Sequence, residues 1–536
     1  MSEEKYKWVV MIYLAGNNSL SEACVYSLTD MLTTQGSQNV AVFAQLNTGV
    51  HENTFLKMRP GMSARELHEQ LKGVLARRRD QQLDEARSYE DEVYDFVNNC
   101  IREVGERGAE HLMLITSGHG SGAASGQFLR SDSKKALSVM NLDELLERIN
   151  SKLLGGNKID ILGLDSCLMS MTEIAYAAHD HVKVMIGAEG YEPIAGWPYA
   201  KILARVNEAG DDLKLLARQI VGDYVDHYRL FQAANVSVDQ AACDLSESVT
   251  LIEAIKRLSA RLGAWMKEFR ERQTPESAFL RDAVVLAHWE AQLYGQEQYT
   301  DLYDFCSLLK SRLMNAPERY RPVISACQNV LNTILGAEQQ RAIEGAGWDE
   351  SLADEEAGFR NANGFVLKSC YSGWAVQYSY GVSIYFPWAE IPSEFVQYEK
   401  LRFSQDSGWG EFLRVYLAAT KRAPRNGASL GTLDFSSVHP SLLNAPFQGA
   451  AYHASRVRDA WATRNADSNR YAESNRHAES NRNAEPNRNG EPNRNADPNR
   501  NADPNKDADP NRSLRSVIGS MRNPPTQFCE CDCGNE

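Results

Sequence analysis

A single histidine stands between glycines at the point where a short apolar run ends, in the sequence HLMLITSGHGSG. This residue is His119, and the run before it is apolar enough to be a buried strand. A second run, IDILGL, ends in Asp165, Ser166 and Cys167. If the two strands are neighbours in a parallel sheet, the imidazole and the thiol lie at the edge where ligands bind. A thiol and an imidazole in one cleft can perform nucleophilic acyl transfer.

The residues around His119 and Cys167 indicate how each group would take part in acyl transfer. An apolar pattern begins at Leu168 and predicts a helix that starts directly after Cys167, and a thiol at a helix N-terminus beside an imidazole is more reactive. The backbone N–H groups of Gly120 and Cys167 are candidates for an oxyanion hole. His119 can protonate the leaving amine, and the bare glycine turn would leave room for a peptide.

Two further side chains are candidates for substrate binding. Asp165 shares a strand face with Cys167, and its carboxylate at the floor of a pocket would pair with an arginine or a lysine of a substrate. A helix N-cap is an equally good interpretation of this aspartate. Trp197, in the sequence IAGWPY, is expected either to line the same cleft or to be a buried anchor of the helix that follows.

Composition excludes some classes of protein. The chain has 536 residues, which predicts two or three domains, and a formal net charge of −14, which argues against a nucleic-acid partner. No apolar run reaches the roughly 18 residues of a membrane helix, so we expect no membrane partner. We also expect a cytoplasmic location and a monomer. A nucleotide-binding α/β protein is the weaker alternative, because the turn at His119 lacks the spacing of a phosphate-binding loop.

Apolar runs and helical patterns alternate along the first part of the chain, which predicts an α/β protein with a mostly parallel sheet covered by helices. Strands are predicted at 8–16, 39–47, 111–116, 159–164 and 182–189, and helices at 20–32, 64–79, 89–105, 141–152 and 168–178. We expect residues 1–240 to form the core, 241–345 a helical region, and 346–420 the strands and helix that complete the unit.

The composition changes after residue 420. We expect residues 421–464 to be a linker, 465–512 a disordered segment of eight hexapeptides such as NADSNR and NAEPNR, and 513–536 a tail with three cysteines. A repeat solenoid is the alternative for the hexapeptides, but each unit offers only an alanine to a stacked core. The tail sequence CECDCG could bind a soft metal, yet this is not a standard zinc spacing.

Several motifs resemble the clostripain family of caspase-like cysteine peptidases: VVMIYLAGNNSL, LMLITSGHGSG, IDILGLDSCLMSMTEIAYA, GAEGYEPIAGWPY, YGVSIYFP and GWGEFLRVYL. They follow the family order across about residues 6–420. The resemblance implies a caspase-like α/β/α sandwich and a catalytic dyad of Cys167 and His119. It also implies cleavage after arginine or lysine, with Asp165 matching the family's pocket aspartate. The histidine precedes the cysteine by about the 50 residues found in caspases.

The resemblance also implies self-cleavage between the two dyad residues, for which Arg130, Lys134 and Lys135 are candidate sites. Some family members depend on calcium, but this sequence has no calcium loop of the D-x-D-x-D-G type, so we expect neither a metal nor an organic cofactor. Pro198 stands where an acidic or amide residue is frequent in the family, so the resemblance supplies no second acid for the pocket.

The expected partners are therefore proteins or peptides that contain arginine or lysine. The alternative function is a catalytically silent caspase-like adaptor or peptide-binding regulatory module, with the hexapeptides as a tether. The presence of both Cys167 and His119 argues against this alternative, because a binding module needs neither reactive group.

Overall fold

The structure is a computed structural model that describes residues 4–34, 36–47, 54–59, 61–77, 88–124, 128–129, 136–232, 236–295, 298–346, 360–388 and 392–420. Three predictions lie outside these residues: the disordered hexapeptide segment with its flanking linker and tail, the cysteine cluster CECDCG, and the self-cleavage candidates Arg130, Lys134 and Lys135.

The described strands and helices alternate along the chain as predicted. The strands are β1 (Tyr6–Ala15), β2 (Val40–Asn47), β3 (Thr54–Met58), β4 (Ala109–Ser117), β5 (Ile159–Asp165), β6 (Val182–Gly187), β7 (Val238–Asp244), β8 (Leu293–Tyr294), β9 (Tyr299–Asp301), β10 (Arg360–Asn361), β11 (Val366–Ser372) and β12 (Ser383–Tyr385). The helices are α1 (Ser21–Met31), α2 (Ala64–Arg77), α3 (Tyr89–Val104), α4 (Val139–Lys152), α5 (Thr172–Ala178), α6 (Tyr199–Glu208), α7 (Leu213–Arg229), α8 (Ser248–Arg272), α9 (Pro275–Glu290), α10 (Leu302–Leu313), α11 (Arg321–Leu335), α12 (Ala337–Ala346), α13 (Pro392–Tyr398), α14 (Arg402–Ser407) and α15 (Trp409–Thr420).

The main sheet has the strand order β10-β11-β7-β6-β5-β4-β1-β2-β3. Its five central strands, β6, β5, β4, β1 and β2, are parallel, and antiparallel strands extend the sheet at both edges. Every residue of β5 is buried, as expected for a mostly apolar strand that is covered on both faces. The predicted α/β class with a largely parallel central sheet is confirmed.

Helices cover the sheet in two groups. Helix α1 packs on β1 and β2 and contacts α6, which in turn packs against α7 over β6 and β7. In the second group, α3 also packs on β1 and β2, and α4 lies between α3 and α5. These groups form the outer layers of the predicted sandwich. No helix among the described residues is long and apolar enough to cross a membrane.

The predicted helical region supplies five helices, α8 to α12, and also contacts the loop that follows β4. The helices begin at Ser248 rather than at residue 241, because residues up to Asp244 form β7. Within this region, the hydroxyl of Tyr299 donates to the carbonyl of Ser121 at 2.6 Å. A Cβ atom on Gly122 would lie 2.5 Å from the Tyr299 ring, so the glycine permits this close packing. The helical region therefore helps to fix the loop that contains His119.

The C-terminal strands attach to the loops behind Cys167. The amide of Ser383, in β12, donates to the carbonyl of Ser170 at 3.0 Å. The amide of Gly381 donates to the buried carboxylate of Glu189 at 2.7 Å. The segment that begins near residue 366 therefore contributes directly to the walls around the site, although it is far from Cys167 in sequence.

Candidate active site

The ends of β4 and β5 place the segments that carry His119 and Cys167 side by side. The two strands are parallel neighbours, and Ser117 pairs with Asp165 at the last position of the register. One residue further on, the amide of Gly118 donates to the carbonyl of Asp165 at 3.1 Å. Both candidate residues therefore leave the sheet side by side at the carboxyl edge, as the sequence predicted from their positions after two strands.

Gly120 is in close contact with the backbone of Cys167. A Cβ atom at Gly120 would lie 2.2 Å from the Cys167 carbonyl oxygen and 3.1 Å from its amide nitrogen. No side chain larger than hydrogen fits at this position without a backbone shift. The contact places the two segments whose N–H groups are the oxyanion-hole candidates in one corner of the site, where preorganised donors can stabilise a developing negative charge.

The Cys167 thiol is held by a loop from the next strand. Only 2% of the residue's surface is exposed, and the amide of Glu192 donates to its sulfur at 3.3 Å. The loop that contains Glu192 follows β6, so three consecutive parallel strands, β4, β5 and β6, each contribute a segment to the site.

The predicted helix start at Leu168 is wrong. Helix α5 begins at Thr172, and Leu168 has a left-handed backbone with a φ of 63°. The amides of Leu168 and Met169 donate to Gly190 and Ala188, both at 2.9 Å, instead of entering a helical turn. Helix α5 therefore does not begin directly after the thiol, and the predicted activation of Cys167 by such a helix start loses its basis.

Ser19 contacts the imidazole and was missed by the sequence reasoning. Its hydroxyl lies 2.9 Å from Nε2 of His119. Such a bond fixes the orientation of an imidazole ring and the position of its proton. The serine belongs to the loop after β1, which neighbours β4 in the sheet, so the carboxyl-edge rule could have pointed to it.

We expect Ser19→Ala to lower kcat by up to about tenfold, because a hydrogen bond of this kind contributes roughly 0.5–1.5 kcal/mol. The measurement is steady-state hydrolysis by purified variants. Ser19→Asn, which can still bond to the ring, should recover most of the lost rate. Wild-type kcat in Ser19→Ala would show that the hydroxyl does not orient His119.

Asp165 is a buried acceptor and not a helix cap. Its carboxylate accepts from the amide of Trp197 at 3.1 Å and from the hydroxyl of Tyr199 at 2.7 Å, while the N-cap of α5 is Met171. The N-cap alternative is therefore wrong. Gly196 faces both carboxylate oxygens and would bring a Cβ atom to 3.0 Å from each, so this side of the carboxylate carries no side chain.

Glu192 is a second buried acid beside Asp165, and the sequence reasoning missed it. It is 3% exposed, and one of its oxygens accepts from the indole N–H of Trp197 at 3.2 Å. Burial raises the pKa of Asp165, although hydrogen bonds, including one from Glu192, oppose the rise. Burial and then the negative charge of Asp165 hold the pKa of Glu192 well above its ordinary value.

Among the residues that the structure describes, neither Asp165 nor Glu192 forms an ion pair with a basic side chain. A buried anion without a counter-ion is costly, so its usual outcomes are protonation or the binding of a cation. An acidic residue just after the third parallel strand end was the available clue to Glu192 in the sequence.

Trp197 is buried, as one of its two predicted interpretations required. It is 2% exposed, and its ring occupies the space above Gly163, where a Cβ atom would lie 2.9 Å away. The indole N–H contacts Glu192, and the burial of the ring agrees with its interpretation as a buried anchor.

A possible metal-ligand group lies at the start of β4, at the opposite edge of the sheet. Its members are Glu110, His111 and Asp211. The ammonium group of Lys7 contacts both carboxylates of this group, so a positive charge already balances them. This cluster therefore carries no metal assignment.

Comparisons with known proteins identify the family of this chain. The sequence profile of the clostripain family, peptidase C11, matches residues 12–416. This chain belongs to the clostripain family.

Individual relatives are distant. The chain is 22% identical to clostripain of Hathewaya histolytica over 259 residues, which are 42% of this chain and 49% of that protein. The chain thus spans about half the length of this curated relative. A secreted C11 cysteine protease of Bacteroides thetaiotaomicron, solved with an irreversible peptide inhibitor, gives a TM-score of 0.47 at 14% identity, covering 75% of this chain and 99% of that one. An inactive zymogen C11 protease of Parabacteroides distasonis gives a TM-score of 0.45 at 15% identity, and the match covers 76% of this chain and 99% of that one.

Proposed function

We propose that this protein is a cysteine endopeptidase that cleaves peptide bonds after arginine or lysine. The observation that carries the specificity is the pair of buried carboxyl groups, Asp165 and Glu192, next to Cys167 and without a basic partner among the described residues. A guanidinium or ammonium group from a substrate would supply the missing cation. Membership of the clostripain family supports the peptidase class.

The reaction follows from the groups at the strand ends. The sulfur of Cys167 attacks the scissile carbonyl carbon, while the thiol proton moves to the imidazole of His119. The carbonyl oxygen becomes an oxyanion, which the N–H groups of Gly120 and Cys167 stabilise. His119 gives its proton to the leaving amine, and the C–N bond breaks to leave a thioester. Water then loses a proton to His119 and attacks the thioester, which releases the carboxylic acid and restores the thiol.

The two pocket acids suit a cationic side chain better than a neutral one. Without a bound cation, burial and the charge of Asp165 raise the pKa of Glu192 and so favour its protonated form. A substrate cation would replace that proton and pair with the carboxylates in a site with little water, where charge–charge interactions are strong. None of these steps requires a metal or an organic cofactor, and we propose that the reaction uses none.

The test is hydrolysis of matched fluorogenic peptides that differ only in the residue before the scissile bond: Arg, Lys, Gln, Asp or Leu. We expect cleavage after Arg and Lys alone. Cys167→Ala should bind the same peptides and turn none over. Cleavage after Leu or Asp with equal efficiency would refute the pocket assignment, and activity retained in Cys167→Ala would refute the nucleophile.

We also propose self-cleavage at Arg130, Lys134 or Lys135. The described residues on either side support the proposal: Phe128 and Leu137 exchange two backbone hydrogen bonds of 2.8 Å, and the neighbouring Leu129 donates to the carbonyl of His119. The described residues that flank this segment are thus paired with each other, and Leu129 is bonded to the backbone of His119. Mass spectrometry of wild type and Cys167→Ala tests the idea, because a cut in both proteins would point to a contaminating peptidase.

A further inference from the structure

The loop of residues 188–192, here called the support loop, contacts the nucleophile and contains a pocket acid. Its Gly190 carbonyl accepts from the amide of Leu168 at 2.9 Å, and its Ala188 carbonyl accepts from Ser170 at 2.8 Å. Its Glu192 donates an N–H to the sulfur of Cys167 and carries the second carboxyl of the pocket. A small displacement of this loop would change both the nucleophile and the pocket.

Asp239 holds the support loop from the adjacent strand β7. Its carboxylate accepts from the amide of Glu189 at 2.7 Å and, through its other oxygen, from the amide of Gly190 at 2.9 Å. The residue is 1% exposed and lies within a fully buried strand, so it is a rigid support. Burial raises the pKa of Asp239 to about 6, with these two hydrogen bonds opposing the rise.

We propose that Asp239 is a positioning residue for the peptidase reaction, which fixes the support loop so that Glu192 can contact the thiol and line the pocket. The inference rests on the proposed function. Asp239 holds the loop by hydrogen bonds, and its charge also adds to the raised pKa of Glu192. Substitution of Asp239 is therefore expected to change both kcat and KM, because the support loop contacts the nucleophile and contains a pocket acid.

The close approach of Gly190 to Asp239 provides a specific test. A Cβ atom at Gly190 would lie 2.6 Å from an oxygen of Asp239 and 3.5 Å from the ring of Tyr294. Gly190→Ala should therefore push the support loop away from Asp239. In an Asp239→Ala background the obstructing oxygen is gone, so the same substitution should cost less activity. Directly contacting residues commonly show such non-additivity.

The first experiment compares Asp239→Asn with Asp160→Asn. Asp160 is also buried and accepts a backbone N–H, from Leu112 at 2.8 Å, but at the opposite edge of the sheet. We expect Asp239→Asn to lower kcat/KM on an arginine peptide by about 10–100-fold, since small misplacements at a site have effects of this size. Asp160→Asn should lower the melting temperature and leave kcat/KM within about twofold of wild type.

A second readout does not depend on peptide cleavage. The rate at which iodoacetamide alkylates Cys167, located by peptide mapping, should change in Asp239→Asn and not in Asp160→Asn. Wild-type kcat/KM and alkylation in a folded Asp239→Asn variant would overturn the proposal, as would equal losses in Gly190→Ala with and without Asp239. If wild type cleaves no basic peptide, the proposed function fails, while the alkylation rates still decide whether Asp239 positions the thiol.

Discussion

Asp165→Asn should lower kcat/KM on an arginine peptide by roughly 30-fold or more, while any slow cleavage of a neutral peptide stays unchanged. The substitution removes the negative charge that we assign to the substrate cation. Loss of one partner from a buried charge pair costs about 2–5 kcal/mol, and each 1.4 kcal/mol corresponds to a factor of ten. The measurement is steady-state kinetics on matched Arg and Gln peptides, with melting temperatures to verify that the variant is folded.

Glu192→Gln is the matched control for the pocket. Glutamine keeps an acceptor for the Trp197 indole and resembles the protonated state that the raised pKa of Glu192 favours in the empty pocket. The fall in kcat/KM on the arginine peptide should therefore be smaller in Glu192→Gln than in Asp165→Asn. If Asp165→Asn reduces Arg and Gln cleavage by the same factor, the carboxylate supports the structure and does not select the substrate.

Gly120→Ala should lower kcat/KM by at least about 100-fold on every peptide. The new methyl group would lie 2.2 Å from the carbonyl oxygen of Cys167, and a backbone atom cannot move aside as the end of a flexible side chain can. The loops that carry the dyad must separate, which disturbs the nucleophile and the oxyanion-hole donors together. The measurement is kcat/KM on the preferred basic peptide.

Gly210→Ala is the control for the added methyl group. Nothing lies within 4 Å of a Cβ atom at Gly210, so this variant should keep wild-type kinetics. Normal turnover in Gly120→Ala would contradict the close contact between the two loops. A fall in kcat/KM without a comparable fall in melting temperature would show that the damage is confined to the site.

The sequence was sufficient to predict the strands that carry the dyad. The stretch ILGL is continuous and apolar because β5 is buried on both faces, and this pattern does not depend on distant contacts. The positions of His119 and Cys167 after two such runs then placed them at one edge, since parallel strands end on the same side of a sheet.

The features that the sequence reasoning missed depend on contacts between distant segments. The residues from Leu168 to Ser170 have a helical pattern, but their amides bond to the support loop, so α5 starts later. Glu192 becomes a pocket residue only because β6 lies beside β5 in the sheet. Tyr299 reaches the His119 loop from the helical insertion, and no periodicity in either segment indicates that contact.

The most direct test of the central claim is covalent labelling of the intact protein with a peptide that carries a thiol-reactive group after a C-terminal arginine. Its matched partner carries citrulline, which has nearly the same shape and no charge. We predict one adduct per chain at Cys167 with the arginine peptide, little with the citrulline peptide, and none in Cys167→Ala. Equal labelling by the two peptides, or labelling at another cysteine, would contradict the account of a Cys167 nucleophile beside a pocket for basic side chains.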